Sequence, residues 1–196
     1  WSFDEGSGEM AYDRVGGHHA TINKVSWATE GVSGGALRFD GRSRQYVEAP
    51  MPVDGSFSVS LWVRASELDT TSENEFRDLL RTDTGSILIL EENGKLSFRL
   101  PGISAGRLVV DDGIELRRWH HVVVTFDGTR RAVYVDAEER AMDTTNGDEL
   151  EFGSWIRFGS RFGSSARHAF AGYLDEIRIF RRALTLDEIR YEFENT

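Results

Sequence analysis

The segment Gly172-Tyr-Leu-Asp-Glu-Ile-Arg-Ile-Phe180 puts a carboxylate where strand alternation expects an apolar side chain. Read as one unbroken strand, it places Asp175 on the face of Ile177 and Ile179, the face a sheet must bury. A buried carboxylate needs a compensating partner, and no lysine or arginine stands at a fixed spacing to supply one. Two other acidic turns, Phe3-Asp-Glu-Gly6 and Phe39-Asp-Gly41, offer oxygens that converge with it on a hard cation such as calcium. Asp4, Asp40 and Asp175 are therefore read as calcium ligands, the competing role being that each caps its own turn by accepting backbone N–H groups. A metal held this way is structural, because nothing near these residues in the chain resembles a nucleophile or a base.

Other chemistry-bearing residues are weaker. Trp119-His120-His121 sets an aromatic ring beside a possible base, but the apolar run that follows marks a core segment, with one histidine hydrogen-bonded inside and the other exposed. His18 and His19 are adjacent and point apart on a strand, with no third ligand spaced to help, so they read as surface histidines. Glycosidic hydrolysis needs two carboxylates flanking one bond, and neither Glu149-Leu-Glu151 nor Asp136-Ala-Glu138 supplies the alternating set of three acids expected on one strand. Sugar recognition needs aromatic rings and planar polar groups on a rim loop. Ser160 to His168 and Glu67 to Glu75 are the candidate loops, with Arg161, Phe162, Arg167 and His168 as candidate ligand-binding residues; an ordinary exposed loop is the alternative.

The elements that must position these residues are strands. Phe57-Ser-Val-Ser-Leu-Trp-Val63 alternates, with Phe57, Val59, Leu61 and Val63 on one face. Asn93-Gly94 and Asp127-Gly128 each separate two strand-like runs and predict hairpins. Further strands are expected at Leu37 to Phe39, Tyr46-Val47, Leu79-Leu80, Leu108 to Val110, Trp155 to Phe158 and Leu174 to Phe180. Thr185 and Glu188 form a capping box for one closing helix, whose stripe of Leu186, Ile189 and Phe193 should pack on the rim of a two-sheet sandwich.

Composition narrows the classes. The 196 residues carry 23 Lys+Arg against 33 Asp+Glu, a formal net charge of -10, which opposes binding to nucleic acid or anionic lipid. There is no cysteine, which excludes disulfides, thiolate metal sites and cysteine nucleophiles. The longest apolar runs, Ile87 to Leu90 and Val122 to Val124, fall far short of a membrane span. One domain over residues 1–196 is expected, and the opening at Trp1 suggests a module of a longer protein whose targeting signal lies elsewhere.

Taken together, Trp1 to Gly8, Gly35-Ala-Leu-Arg-Phe-Asp-Gly41, Phe57 to Val63, Trp119-His-His-Val-Val-Val-Thr-Phe-Asp-Gly128, Gly172 to Phe180 and Arg182-Ala-Leu-Thr-Leu-Asp-Glu-Ile189 resemble the laminin G-like branch of the concanavalin A-like lectin/glucanase superfamily. The resemblance implies an all-β fold, a two-sheet antiparallel jelly-roll sandwich. It also implies a calcium ion where the first and last strands approach, held by Asp175, oxygens near Asp4, and Asp40 or the Gly41 carbonyl. The Val-Asp-Gly usual in that family is here Val135-Asp-Ala137. The expected class is a non-catalytic, calcium-stabilised binding module outside the cytoplasm, at the cell surface or in the periplasm, taking carbohydrate or an extracellular protein. An adhesive spacer making only protein contacts is the alternative, and a glycoside hydrolase the least favoured reading.

Overall fold

Alternating apolar side chains build two antiparallel sheets around one shared core in the computed structural model, which describes residues 1–42, 44–53, 55–66, 76–91, 94–146, 150–159 and 169–196. The strands are β1 (Met10–Ala11), β2 (Ala20–Asn23), β3 (Ser26–Ala28), β4 (Ala36–Asp40), β5 (Tyr46–Pro50), β6 (Phe57–Ala65), β7 (Arg77–Thr82) and β8 (Ser86–Leu90). They continue with β9 (Leu96–Phe98), β10 (Leu108–Val110), β11 (His120–Phe126), β12 (Arg130–Val135), β13 (Glu138–Thr144), β14 (Trp155–Phe158) and β15 (Ala171–Phe180), and the helix α1 (Leu186–Glu194) follows. One sheet has the order β1-β2-β5-β14-β7-β8-β9-β10 and the other β13-β12-β11-β6-β15-β4-β3. This is the two-sheet sandwich that the strand pattern predicts, and the jelly roll that the resemblance implies.

The core is the meeting of the two inner faces. Phe57, Val59, Leu61 and Val63 of β6 face Phe98, Leu80, Val47 and Phe158 of the opposite sheet within one cluster. Both expected hairpins form, β8 with β9 and β11 with β12. The polar strand β13 was not legible: Glu138 to Thr144 is largely exposed and forms because the Asp136–Ala137 turn folds it back on β12. Asp136 and Ala137 thus form the turn and Glu138 begins the strand.

Two expectations are corrected by register. Asp175 pairs with Trp62 and Arg178 with Ser60, so β15 carries one extra residue there, a bulge at Glu176, whose φ is 46°. Leu174 and Ile177 both reach the core, whereas Asp175 turns to the outer face with Trp62; the alternation that put Asp175 beside Ile177 and Ile179 is broken by the bulge. The carboxylate is nonetheless fully buried. The helix begins at the predicted capping box, with Thr185 and Glu188 bonded reciprocally. It lies on the outer face of the seven-stranded sheet and not on the rim: Ile189 packs with Val123, Ala132, Tyr134 and Leu184, and Phe193 stacks on Trp62 at 5.6 Å.

Candidate functional site

Asp175 is held by the glycine-rich turn of residues 31–35. Its Oδ2 accepts the Val32 N–H at 2.8 Å and the Ser33 N–H at 3.3 Å, and its Oδ1 accepts the Glu176 N–H at 2.7 Å. Burial pushes the carboxyl up to about 7, against the pull of these three N–H groups. The same turn holds the opening segment: Asp4 Oδ1 accepts the Gly35 N–H at 2.9 Å, a bond that keeps Asp4 below the usual carboxylate range. The backbone of Trp1 also bonds to Ile177, with the Ile177 N–H reaching the Trp1 carbonyl at 3.0 Å. First and last segments therefore meet where the sequence placed them.

The turn is glycine because oxygens crowd it. A Cβ on Gly31 would stand 2.0 Å from the Gly35 carbonyl oxygen and 2.7 Å from Asp175 Oδ2, and one on Gly35 would stand 2.4 Å from the Phe3 carbonyl oxygen. Two carboxylates and two carbonyls around one turn form a donor set of hard oxygens, the chemistry calcium takes. Glu5, the next residue after Asp4, accepts the Tyr12 N–H through Oε1 at 2.9 Å and has a buried Oε2 with no hydrogen-bond partner among the described residues.

Asp40 and Gly41 are not brought to this turn. Asp40 pairs with Ala171, four residues along β15 from Asp175, about 13 Å away at the usual strand rise. Its carboxylate accepts the Arg42 N–H at 3.0 Å and pairs with the Arg42 guanidinium at 3.5 Å. No group of three or more His, Asp or Glu side chains suited to a metal occurs among the described residues.

Both histidines that follow Trp119 are buried and hydrogen-bonded. His120, 4% exposed, pairs through Nδ1 with Asp136 Oδ2 at 2.8 Å and accepts the Glu115 N–H at Nε2, so its Nδ1 carries the proton. His121 is not exposed, contrary to the expectation for one of the pair. It is 1% exposed, bonded to Ser60 Oγ at 2.7 Å, with its ring beside Trp62 and Phe193. Burial pushes it down to about 4. His19 is exposed and its Nδ1 accepts the Asp13 N–H, while His18 is half-buried.

Arg161, Phe162, Arg167 and His168, the residues between Glu67 and Glu75, and Glu149 lie outside the described residues. A richer surface, missed in the sequence, is the outer face of the eight-stranded sheet. Val47 and Ala49 of β5 and Ile156 and Phe158 of β14 point to the core, which turns Tyr46, Glu48, Trp155 and Arg157 outward. Arg157 lies over Tyr46 at 3.9 Å and Trp155 at 4.6 Å and bonds Glu48 Oε2 at 3.1 and 2.5 Å.

The register continues a polar row across the sheet, Thr21–Glu48–Arg157–Arg81–Ser86. Beside it opens a cavity of about 530 Å³ lined by Phe76, Asp78, Arg81, Ser86, Ile89, Arg99 and Arg107 among others. Arg81 pairs with Asp78 at 3.1 Å, and Arg107 pairs with Glu91 at 2.7 Å and lies over the Phe76 ring at 5.1 Å. The available signal was the alternation within Tyr46 to Pro50 and Trp155 to Phe158, which shows outward aromatics and charges but not which strands are neighbours.

Residues 40–190 match the family Laminin_G_3 of the Concanavalin A-like lectin/glucanases superfamily, and the chain belongs to that family. No curated protein sequence matches it. Among solved structures it is similar to the binding domain of Paraclostridial Mosquitocidal Protein 1, with TM-score 0.75 and 17% identity over 95% of this chain and 50% of that one. It is also similar to domain 4 of AbnA, a GH43 extracellular arabinanase from Geobacillus stearothermophilus solved with arabinotriose, with TM-score 0.73 and 20% identity over 97% of this chain and 95% of that one. A third is the botulinum neurotoxin serotype D binding domain, with TM-score 0.71 and 15% identity over 93% of this chain and 48% of that one. The chain thus spans about half of the toxin binding domains and nearly all of the arabinanase domain. At these identities the likeness is one of fold.

Proposed function

We propose that this chain is a non-catalytic carbohydrate-binding module of an extracellular protein, and that it takes its ligand on the outer face of the eight-stranded sheet. One observation carries the reading: Tyr46, Arg157 and Trp155 are stacked on that face beside a cavity lined by Phe76 and three arginines. Aromatic faces suit the apolar side of a sugar ring, and guanidinium groups suit its hydroxyls. A neighbouring fold solved with arabinotriose and named as extracellular supports the ligand class and the compartment. Asp78 is the one carboxylate among the described residues lining the cavity and is held by Arg81, whereas glycosidic hydrolysis asks for an acid pair.

Calcium belongs to this reading as a staple away from the sugar face. Asp175, Asp4 and the Phe3 and Gly35 carbonyls would hold it, neutralising the buried carboxylate and tying the opening segment to β15. Calorimetric titration with a broad oligosaccharide panel tests the ligand, with Trp155→Ala weakening the best binder about tenfold or more. Heat-free titrations across the whole panel, or an unchanged affinity in the variant, would overturn the sugar reading and leave a protein partner.

A further inference from the structure

We infer that the saccharide bound on this face carries an anionic group, a carboxylate above all, seated among Arg81, Arg99 and Arg107; the inference rests on the carbohydrate reading above and names its ligand class. Three observations carry it. Arg81 and Arg157 stand directly opposite each other across β7 and β14, both almost fully buried. Like charges in directly opposed strand positions repel, and they do so more strongly away from water. Asp78 and Glu48 each relieve one member of the pair, and a bound anion would relieve it further.

The charge of the cavity is opposite to that of the chain. Its described lining residues include three arginines, Arg81, Arg99 and Arg107, against the acid Asp78; Asp78 pairs with Arg81 and Glu91 with Arg107, which leaves the charge of Arg99 over, in a protein of net charge -10. Arg99 is exposed and makes no ion pair among the described residues. Neutral sugars do not require such a surplus, since hydroxyls are met as well by uncharged donors. A planar guanidinium fork does match a uronic carboxylate, and sulfate esters share the anionic chemistry without the planar match.

The chemistry of the neighbouring side chains agrees. Phe76 supplies an apolar face beneath Arg107, and Ser86 sits at the end of the row that holds the arginine pair. Ser97, which pairs with the cavity residue Ile89 in β8, has a fully buried hydroxyl with no partner among the described residues.

The test titrates the whole chain with trimers of galacturonate, glucuronate and mannuronate, the methyl ester of each, sulfated disaccharides, and arabinotriose as a neutral sugar. At least one uronate is expected to bind about tenfold or more tightly than its methyl ester, with affinity falling as salt rises. Arg99→Gln, at an exposed position that should not disturb folding, is expected to weaken the uronate about fivefold and its methyl ester by less, so that the preference for the charged form narrows. Binding by the sulfated sugars alone would keep the anion and assign it to sulfate. Equal affinity for charged and neutral forms would overturn the inference while the carbohydrate reading stands, and binding by none would remove both.

Discussion

The Asp175 carboxylate accepts the Val32 N–H at 2.8 Å across 143 residues of chain. With the Ser33 and Glu176 N–H groups it closes the turn of residues 31–35 against the last strand of the chain, on the outer side of β15. Asp175→Ala would leave three N–H groups without an acceptor in a buried place. The expected loss is about 3 kcal/mol, read from denaturant unfolding in chelator. In calcium the wild type should gain more, about 2.7 kcal/mol at a hundred times the dissociation constant, and the variant nothing. A wild-type unfolding curve indifferent to calcium would remove the ion from this turn.

Gly31 tests the crowding of the same turn by a different route. Its φ lies outside the left-handed region, so alanine meets no backbone strain, only the Gly35 carbonyl oxygen at 2.0 Å and the Asp175 carboxylate at 2.7 Å. A backbone oxygen in a packed turn cannot retreat. Gly31→Ala is expected to cost about 2 to 4 kcal/mol and to abolish the calcium effect, whereas Gly55→Ala, where nothing lies within 4 Å, should be close to neutral.

Two buried groups pull stability in opposite directions with pH. His121, at about 4 against its ordinary 6.5, stays neutral in the fold while the unfolded chain takes up a proton, so its contribution is present above 6.5 and is lost as pH falls toward 4. Asp175, at about 7 against 3.8, holds its proton more tightly in the fold, so its contribution is present below 3.8 and is lost as pH rises toward 7. Without calcium the two slopes offset each other between about pH 4 and 6.5. His121→Gln should expose a stability that falls as pH rises through that window, and Asp175→Asn one that falls as pH drops, by about 3 kcal/mol in full. Parallel pH profiles for the two variants would contradict the assignment.

The β12–β13 hairpin turns through Asp136 and Ala137 with φ of 51° and 62°, the backbone of a two-residue turn that favours glycine in its second place. Asp136 is fixed by His120 and by the His121 N–H at 3.0 Å, but the Ala137 Cβ gains nothing from its left-handed conformation. Ala137→Gly is expected to raise stability by about 1 kcal/mol, measured as a shift in the unfolding midpoint, with sugar affinity unchanged.

Much of the scaffold is legible residue by residue. The alternation of Phe57 to Val63 assigns the inner face of β6 correctly, and the Thr185–Glu188 box fixes where α1 begins, because both depend only on near neighbours in the chain. Of the metal candidates, Asp4 and Asp175 share a turn that no spacing announces, since Gly31 and Gly35 join them only after β4 and β15 pair. Asp40 carries the same acidic-turn signature and lies at the other end of the strand. The arginine row was invisible for a similar reason: Arg81 and Arg157 are 76 positions apart and become neighbours only in the sheet order β14-β7.

Side-chain periodicity by itself determined that this polypeptide makes apolar-faced strands, one capped helix and a closing strand that contains a carboxylate, because those properties follow from local geometry and from the aversion of apolar groups to water. Tertiary structure alone decided which side of β15 that carboxylate takes, through one extra residue at Glu176, and which distant strands bring aromatic rings and guanidinium groups onto a common face. Register and strand order are set by the packing of the whole core, a sum over many weak contacts that no single stretch of sequence contains.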